Sequence, residues 1–346
     1  MTTPPQKILV VRNDKLGDFM LTCPTFALLR EALPAARIDA LVQDYTAPMA
    51  EQFAGIDTVI RDPGPGRGNT LALARRLRRE RYDAAIVLFS TTRIGLALWL
   101  AGIPLRLAPA TKLAQIFYNR RVRQRRSRSE KPEYEYNRDL GVALLQEWGI
   151  AEPGPFTPPC LRFPPEEREA TRRDFLARYR LAADSRLLFV HPGHGGSANN
   201  LRVDQFAELV RLLRLEPPWR VVVTAGPGEE SQARALADGI ANLQPVVHVS
   251  REGLAAFARH LDLADLFISG STGPLHIAGA LDRPTAAFYT RRRSATALRW
   301  QTLNAPERRL AFSPPETAEA EEMSAVDLAA AAAAIRARFI AASGEG

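Results

Sequence analysis

Short apolar, often β-branched runs alternate with helix-length amphipathic segments along nearly the whole chain, and this alternation restricts the fold more than any other feature. Ile8–Val11, Ile38–Val42, Thr58–Ile60 and Ala84–Phe89 read as strands, followed by helical segments at 18–33, 45–54, 70–81 and 92–101. Strands that recur with helices between them form βαβ units, which build a parallel sheet covered on both faces. The pattern then breaks at 151–165, AEPGPFTPPCLRFPP, which holds 6 of the 26 prolines. Proline removes backbone donors and blocks helix, so this stretch reads as a linker. Beyond it come a helix at 166–179 and strands Leu187–Val190, Val221–Thr224, Val246–Val249, Leu266–Ser269 and Thr285–Tyr289. Helices at 203–214, 229–241, 252–261 and 274–281 separate them. The chain therefore divides into an α/β domain at 1–165 that includes the linker, a second at 166–323, and an alanine-rich closing helix within 324–346. For 346 residues, two domains also match the usual size of a single core.

Composition excludes several classes. Hydrophobic residues at 46% and charged residues at 24% describe a chain that buries a full core, not a disordered, collagen-like or disulfide-stapled one. Cys23 and Cys160 are far apart in sequence and form no C-x-x-C, so neither a disulfide framework nor a zinc ribbon is indicated and a reducing compartment is expected. The N-terminus offers only four consecutive apolar residues, and the longest apolar stretch, Ile94–Leu105, is too short for a membrane span. A cytoplasmic protein with at most peripheral membrane contact is expected. The net charge is +8, of which the segment 112–131, KLAQIFYNRRVRQRRSRSEK, contributes +7. The excess is a local patch that points to an anionic partner.

Ligands of open α/β sheets bind outside the carboxyl ends of the strands. The first such loop is Arg12-Asn-Asp-Lys-Leu-Gly-Asp18, which is neither a dinucleotide fingerprint nor a P-loop. It offers Asp18 as a general base, with a helix-capping carboxylate as the plainer alternative. In the second domain His191-Pro-Gly-His-Gly-Gly-Ser-Ala-Asn-Asn200 precedes a helix, and its glycines let backbone amides approach a phosphate. A structural glycine turn is the plainer reading here; a metal pair at His191 and His194 lacks a second cluster of ligands. Gly270-Ser-Thr-Gly-Pro-Leu-His276 opens another helix, where Thr272 and Gly273 offer a hydroxyl and free amides to a diphosphate. Glu229 stands at a strand end where a carboxylate can accept from ribose hydroxyls. No D-x-D pair occurs, so no metal or other cofactor is expected and the leaving group relies on amides, dipoles and cations.

Lys15-Leu-Gly-Asp18, HPGHGGSANN at 191–200 and STGPLHIAGAL at 271–281 together resemble glycosyltransferase family 9, the ADP-heptose:lipopolysaccharide heptosyltransferases. The helix EYEYNRDLGVALL at 133–145 resembles the family's helix before the linker. The resemblance implies a GT-B fold, two Rossmann-like domains facing a cleft, with an N-terminal acceptor domain, a C-terminal ADP-sugar domain and a closing helix that returns to the first. It implies that Asp18 deprotonates an acceptor hydroxyl for an inverting, metal-independent transfer. Donor contacts are implied at Gly195, Gly196, Ser197, Asn199, Arg202, Glu229, Ser271, Thr272, Gly273 and His276. Acceptor contacts fall to Lys15, Arg120, Arg121 and Arg123, for an anionic Kdo-lipid A type glycolipid at the cytoplasmic face of the inner membrane. Many relatives carry Lys and then Trp-Pro where this chain has Asn199, Leu201 and Arg202. A transferase using another nucleotide sugar or acceptor is therefore the second reading, a catalytically dead scaffold of the same fold the third, and a nucleic-acid-binding protein working through 112–131 the non-enzyme alternative.

Overall fold

Strand β1 (Lys7–Val11) carries four successive buried apolar residues, as a strand covered on both faces must. In the computed structural model, which describes residues 4–111, 113–193 and 199–341, it lies at the centre of a six-stranded parallel sheet. With β2 (Arg37–Gln43), β3 (Thr58–Asp62), β4 (Ala84–Val87), β5 (Leu105–Pro109) and β6 (Arg120–Val122), the order is β3-β2-β1-β4-β5-β6. The register sets Val10 between Ala40 and Ile86. The helices are α1 (Leu16–Met20), α2 (Cys23–Ala32), α3 (Ala47–Ala50), α4 (Asn69–Glu80), α5 (Thr92–Leu100) and α6 (Glu133–Gln146). On one sheet face Leu9, Val11 and Val87 pack with Leu73 and Leu77 of α4 and Ile94 and Leu98 of α5.

The chain divides into two compact units, Met1–Cys160 and Leu161–Gly346. The second unit begins with α7 (Pro165–Tyr179) and repeats the winding of the first. Its strands are β7 (Arg186–His191), β8 (Trp219–Ala225), β9 (Val246–Val249), β10 (Leu266–Gly270), β11 (Thr285–Phe288) and β12 (Arg309–Phe312), in the order β12-β11-β10-β7-β8-β9. Between them run α8 (Val203–Leu212), α9 (Glu230–Gly239), α10 (Leu254–Leu261) and α11 (Gly273–Ala280), and α12 (Leu328–Ile335) closes the chain with one further turn at Arg336–Ile340. In both sheets the order reverses beside the unit's first strand, so the loops after β1 and β4, and those after β7 and β10, flank the switch points.

Several sequence expectations are corrected. Strands β5, β6 and β12 went unread: β5 and β12 contain Arg, and β6 lies inside the basic stretch. β6 and β12 are sheet edges, where short, charged strands are the rule. The helix expected at 18–33 is two helices, because Pro24 in the first turn of α2 lacks the amide that would continue α1. Cys23 and Cys160 are disulfide-bonded, with Cα atoms 6.2 Å apart, since Arg138 of α6 draws the proline-rich segment in through the carbonyls of Pro153 and Gly154. The cysteine spacing is thus no argument for a reducing compartment. The closing helix was expected on the first unit; its apolar residues Leu328, Ala331, Ala332 and Ile335 instead join the core of the second, with Phe206 and Val210 of α8.

Ile335→Ala should therefore lower the second unit's unfolding free energy by about 2–5 kcal/mol in urea. A loss under about 0.5 kcal/mol would place the helix outside that core.

Candidate active site

At the carboxyl end of β1 the chain buries a cation. Arg12 is 3% exposed, and its guanidinium reaches four acceptors. Nε donates to Asp14 Oδ1 at 2.7 Å, Nη1 to Glu133 Oε1 at 3.0 Å and to Asn137 Oδ1 at 3.1 Å, and Nη2 to Asp18 Oδ1. Glu133 opens α6, and Arg126 bonds the same Oε1 at 2.7 Å while donating to the Leu88 carbonyl just beyond β4 at 3.1 Å. One network therefore ties together the loops after β1 and β4 and the start of α6. The break between α1 and α2 contributes as well, because Asn137 Nδ2 donates to the Leu21 carbonyl at 3.1 Å.

Asp18 sits in the first turn of α1, where its bond to Arg12 replaces the helix cap that its position also allowed. The loop is held from the other side by Gln43 Nε2 donating to the Asn13 carbonyl (2.8 Å) and by Asn13 Nδ2 donating to Asp62 (2.6 Å). The Tyr45 hydroxyl accepts the Leu16 amide at 2.9 Å. Burial pushes the Asp18 carboxyl up to about 7; Arg12 pulls it down, and Asp14 and Glu133 push it further up. Arg12 itself, facing three carboxylates that outweigh its burial, is held above its already high value and stays charged. A half-buried carboxyl pushed up to about 7 and held by a permanent cation has the properties of a general base.

The second unit presents a different chemistry. His191 ends β7, with Nδ1 3.0 Å from Thr224 Oγ1 and Nε2 3.5 Å from Glu229 Oε2. Its pKa is lowered by burial, with Glu229 opposing. Glu229 also accepts the Gly226 amide at 2.9 Å, and a Cβ on Gly193 would lie 2.3 Å from its carboxyl carbon, so a larger residue there would displace that carboxylate. Asn200 likewise fills the space a Cβ on Gly270 would need, bracing the loop after β7 against the end of β10. Thr272 caps α11, yet its buried hydroxyl has no partner, nor have His276 Nδ1 and Thr290 Oγ1. Thr272 and Thr290 both lie two residues past the paired Gly270 and Phe288. Burial pushes His276 down to about 4, so its ring is neutral at physiological pH. Three buried polar atoms left unpaired at adjacent strand ends constitute an unmet hydrogen-bonding demand that a polar ligand would satisfy.

The remaining candidates are distributed as follows. Gly195, Gly196 and Ser197, with His194, lie outside the described residues. Ser271 and Gly273 flank Thr272 and are half-buried, and Asn199 is exposed. Arg202 precedes α8 and is paired with Asp204 at 3.0 and 2.7 Å, which commits the cation offered in place of the absent Lys to its own helix start. Lys15 is exposed beside α1; Arg120 is paired with Glu147 at 2.7 Å; Arg121 and Arg123 are exposed on or just after β6. Sequence reading missed Arg12, Arg126, Glu133, Asn137, Asn200 and Thr290. The one available signal was the pair of charges, Arg12 and Glu133, at positions where a parallel sheet and its covering helix bury their residues.

The model of glycosyltransferase family 9 (heptosyltransferase) matches residues 70–320. A Haemophilus influenzae protein, designated a glycosyltransferase with no donor or acceptor stated, is 43% identical over 94% of this chain and 95% of its own. Lipopolysaccharide heptosyltransferase 1 of Escherichia coli K12 is 24% identical over 82% of this chain and 87% of its own. Among solved structures, E. coli ADP-heptose LPS heptosyltransferase II superposes with a TM-score of 0.78 at 19% identity, covering 98% of this chain and all of that one. An E. coli heptosyltransferase solved with ADP gives 0.71 at 21% identity, covering 96% and 99%. The fold they share with this chain is GT-B.

Two substitutions test this geometry in the unliganded protein. Arg12→Met strands Asp14, Asp18 and Glu133 around a lost cation and should cost about 3–5 kcal/mol in denaturant unfolding at pH 8. Thr272→Val removes a hydroxyl that has no partner and should leave stability unchanged or raise it; a loss above about 1 kcal/mol would mean the hydroxyl is already satisfied.

Proposed function

Because the chain belongs to glycosyltransferase family 9, we propose that it transfers a heptose from ADP-heptose to a Kdo or heptose of the lipopolysaccharide inner core, inverting the anomeric carbon and using no metal ion. The acceptor hydroxyl gives its proton to Asp18 as its oxygen bonds to the anomeric carbon. The bond from that carbon to the diphosphate breaks, and its electron pair leaves with ADP. The observation that carries this reading is Asp18 itself, a carboxyl poised near pH 7 and fixed by Arg12. A general base works best when its pKa lies near the operating pH.

The unpaired Thr272, His276 and Thr290 supply the donor side, where Thr272 and the Gly273 amide at the start of α11 face developing negative charge on the diphosphate. Ser271 and Asn199 join this side, and the family resemblance adds Gly195, Gly196 and Ser197 as donor contacts. Glu229 acts through His191 and Gly193, by shaping the loop after β7. Arg202, paired with Asp204, contributes less than the Lys it stands in for. Lys15, Arg121 and Arg123 are left for an anionic acceptor at the cytoplasmic membrane face, with Arg120 shared with Glu147. Among the described residues no helix is long and apolar enough to cross a membrane. The second reading, another nucleotide sugar, is favoured by Asn199 and the engaged Arg202. Against nucleic-acid binding, Arg126 and Lys131 of the basic stretch are also bound to carboxylates of this chain.

With ADP-heptose and a Kdo-containing lipid acceptor, Asp18→Asn should lower turnover about 10²–10⁴-fold while ADP binds as before in calorimetry. Undiminished turnover would remove Asp18 from the role of base. In thermal-shift titrations ADP-heptose should raise the melting temperature more than GDP- or UDP-sugars, through binding to the native state alone; a larger rise with either of those would select the second reading.

A further inference from the structure

The first unit carries an apolar surface that neither the core nor the proposed chemistry uses. The connection from β5 to β6 contains one 3₁₀ segment, Leu113–Phe117, packed along α5. Phe117 rests on Gly95, where a Cβ would come within 3.0 Å of its ring, and its ring lies 6.4 Å from that of Trp99. The segment is held firmly, yet its large side chains face outward. Leu113 is 81% exposed, Ile116 67% and Trp99 53%. Leu96, three residues before Trp99 on α5, is half-buried, while Leu100 packs against the core. Single exposed apolar residues are ordinary, but a contiguous group with a tryptophan on an ordered surface marks a contact site.

The neighbouring charge indicates what makes that contact. Immediately after the segment come Arg121, Arg123 and Arg125, all exposed and without a carboxylate partner among the described residues. Apolar side chains and an interfacial aromatic, followed along the chain by uncompensated cations, are the composition of a surface that lies in the headgroup layer of an anionic bilayer. We propose that Trp99, Leu113 and Ile116 insert into such a bilayer while Arg121, Arg123 and Arg125 bind its anionic headgroups, so that the first unit docks directly on the membrane. The proposal rests on the function above for a membrane-borne acceptor and draws on two cations given to that acceptor, Arg121 and Arg123, and it stands if the identity of the donor does not.

Co-sedimentation of the full chain with vesicles of phosphatidylethanolamine and phosphatidylglycerol, against vesicles of phosphatidylcholine alone, tests it. The parent protein should pellet with the anionic vesicles, and Leu113→Asp with Ile116→Asp should lower its partition at least about tenfold. Arg121→Glu, Arg123→Glu and Arg125→Glu together should abolish the preference for anionic lipid. Anionic vesicles should also blue-shift the tryptophan emission, and Trp99→Phe should remove the shift. Transfer to a lipid-free acceptor oligosaccharide should be unchanged by the Leu113 and Ile116 substitutions, which separates loss of docking from loss of the transferase reading. A parent that stays in the supernatant, or a doubly substituted protein that pellets equally well, would overturn the proposal. So would a lipid-free dimer that the same two substitutions convert to monomer, because the patch would then be covered by a second copy.

Discussion

The guanidinium of Arg12 is the constraint on which the first unit's site depends. A buried cation without partners is prohibitive, so its burial at the end of β1 requires carboxylates and amides to converge there. Asp14 and Asp18 arrive through the local chain, while Glu133 and Asn137 arrive only if α6 is held against the same strand end. Arg126 shares Glu133, so Arg12 is the cation that Asp14 and Asp18 have in common. Burial pushes the Asp18 carboxyl up to about 7, so its raised pKa follows from the same packing that fixes its position. The linkage has a definite sign. Because the folded state binds the Asp18 proton more tightly than the unfolded chain, that binding contributes stability in full below about pH 4, and the contribution is lost as pH rises through about 7. At working pH the fold therefore carries a charged carboxylate at some cost to stability, as functional sites commonly do.

The second unit has the same winding and the opposite condition. Around Arg12 the polar groups are largely engaged with one another, whereas the ends of β10 and β11 hold buried hydroxyl and imidazole atoms with no partner. A network closed on itself suits a group whose orientation and proton affinity must be set in advance. Open polar atoms suit a site completed by its ligand. Two copies of one topology thus present one carboxylate network engaged with its own cation and one set of unpaired buried polar atoms.

Much of this was legible in the sequence. Interior strands such as KILVV and RLLFVH announce themselves because both faces are buried and the apolar run is continuous. The edge strands β6 and β12 do not, since an edge needs little apolar content and tolerates arginine. Asp18, Thr272 and His276 were found through their places after strands and their likeness to a family. Arg12 and Glu133, 121 residues apart, join through packing that no local pattern encodes, and Arg126 was hidden in a stretch whose charge read as a solvated patch. The disulfide and the seat of α12 were missed for the same reason, since both depend on where distant segments come to rest.

The central claim is that a carboxyl made weakly acidic by burial, Asp18, accepts the acceptor's proton. The pH dependence of kcat/KM for the parent enzyme reports the ionisation of the free enzyme's base most directly. A rising limb centred near pH 7 is the predicted result. A limb centred near pH 4, the range of an ordinary solvated carboxylate, would contradict the account.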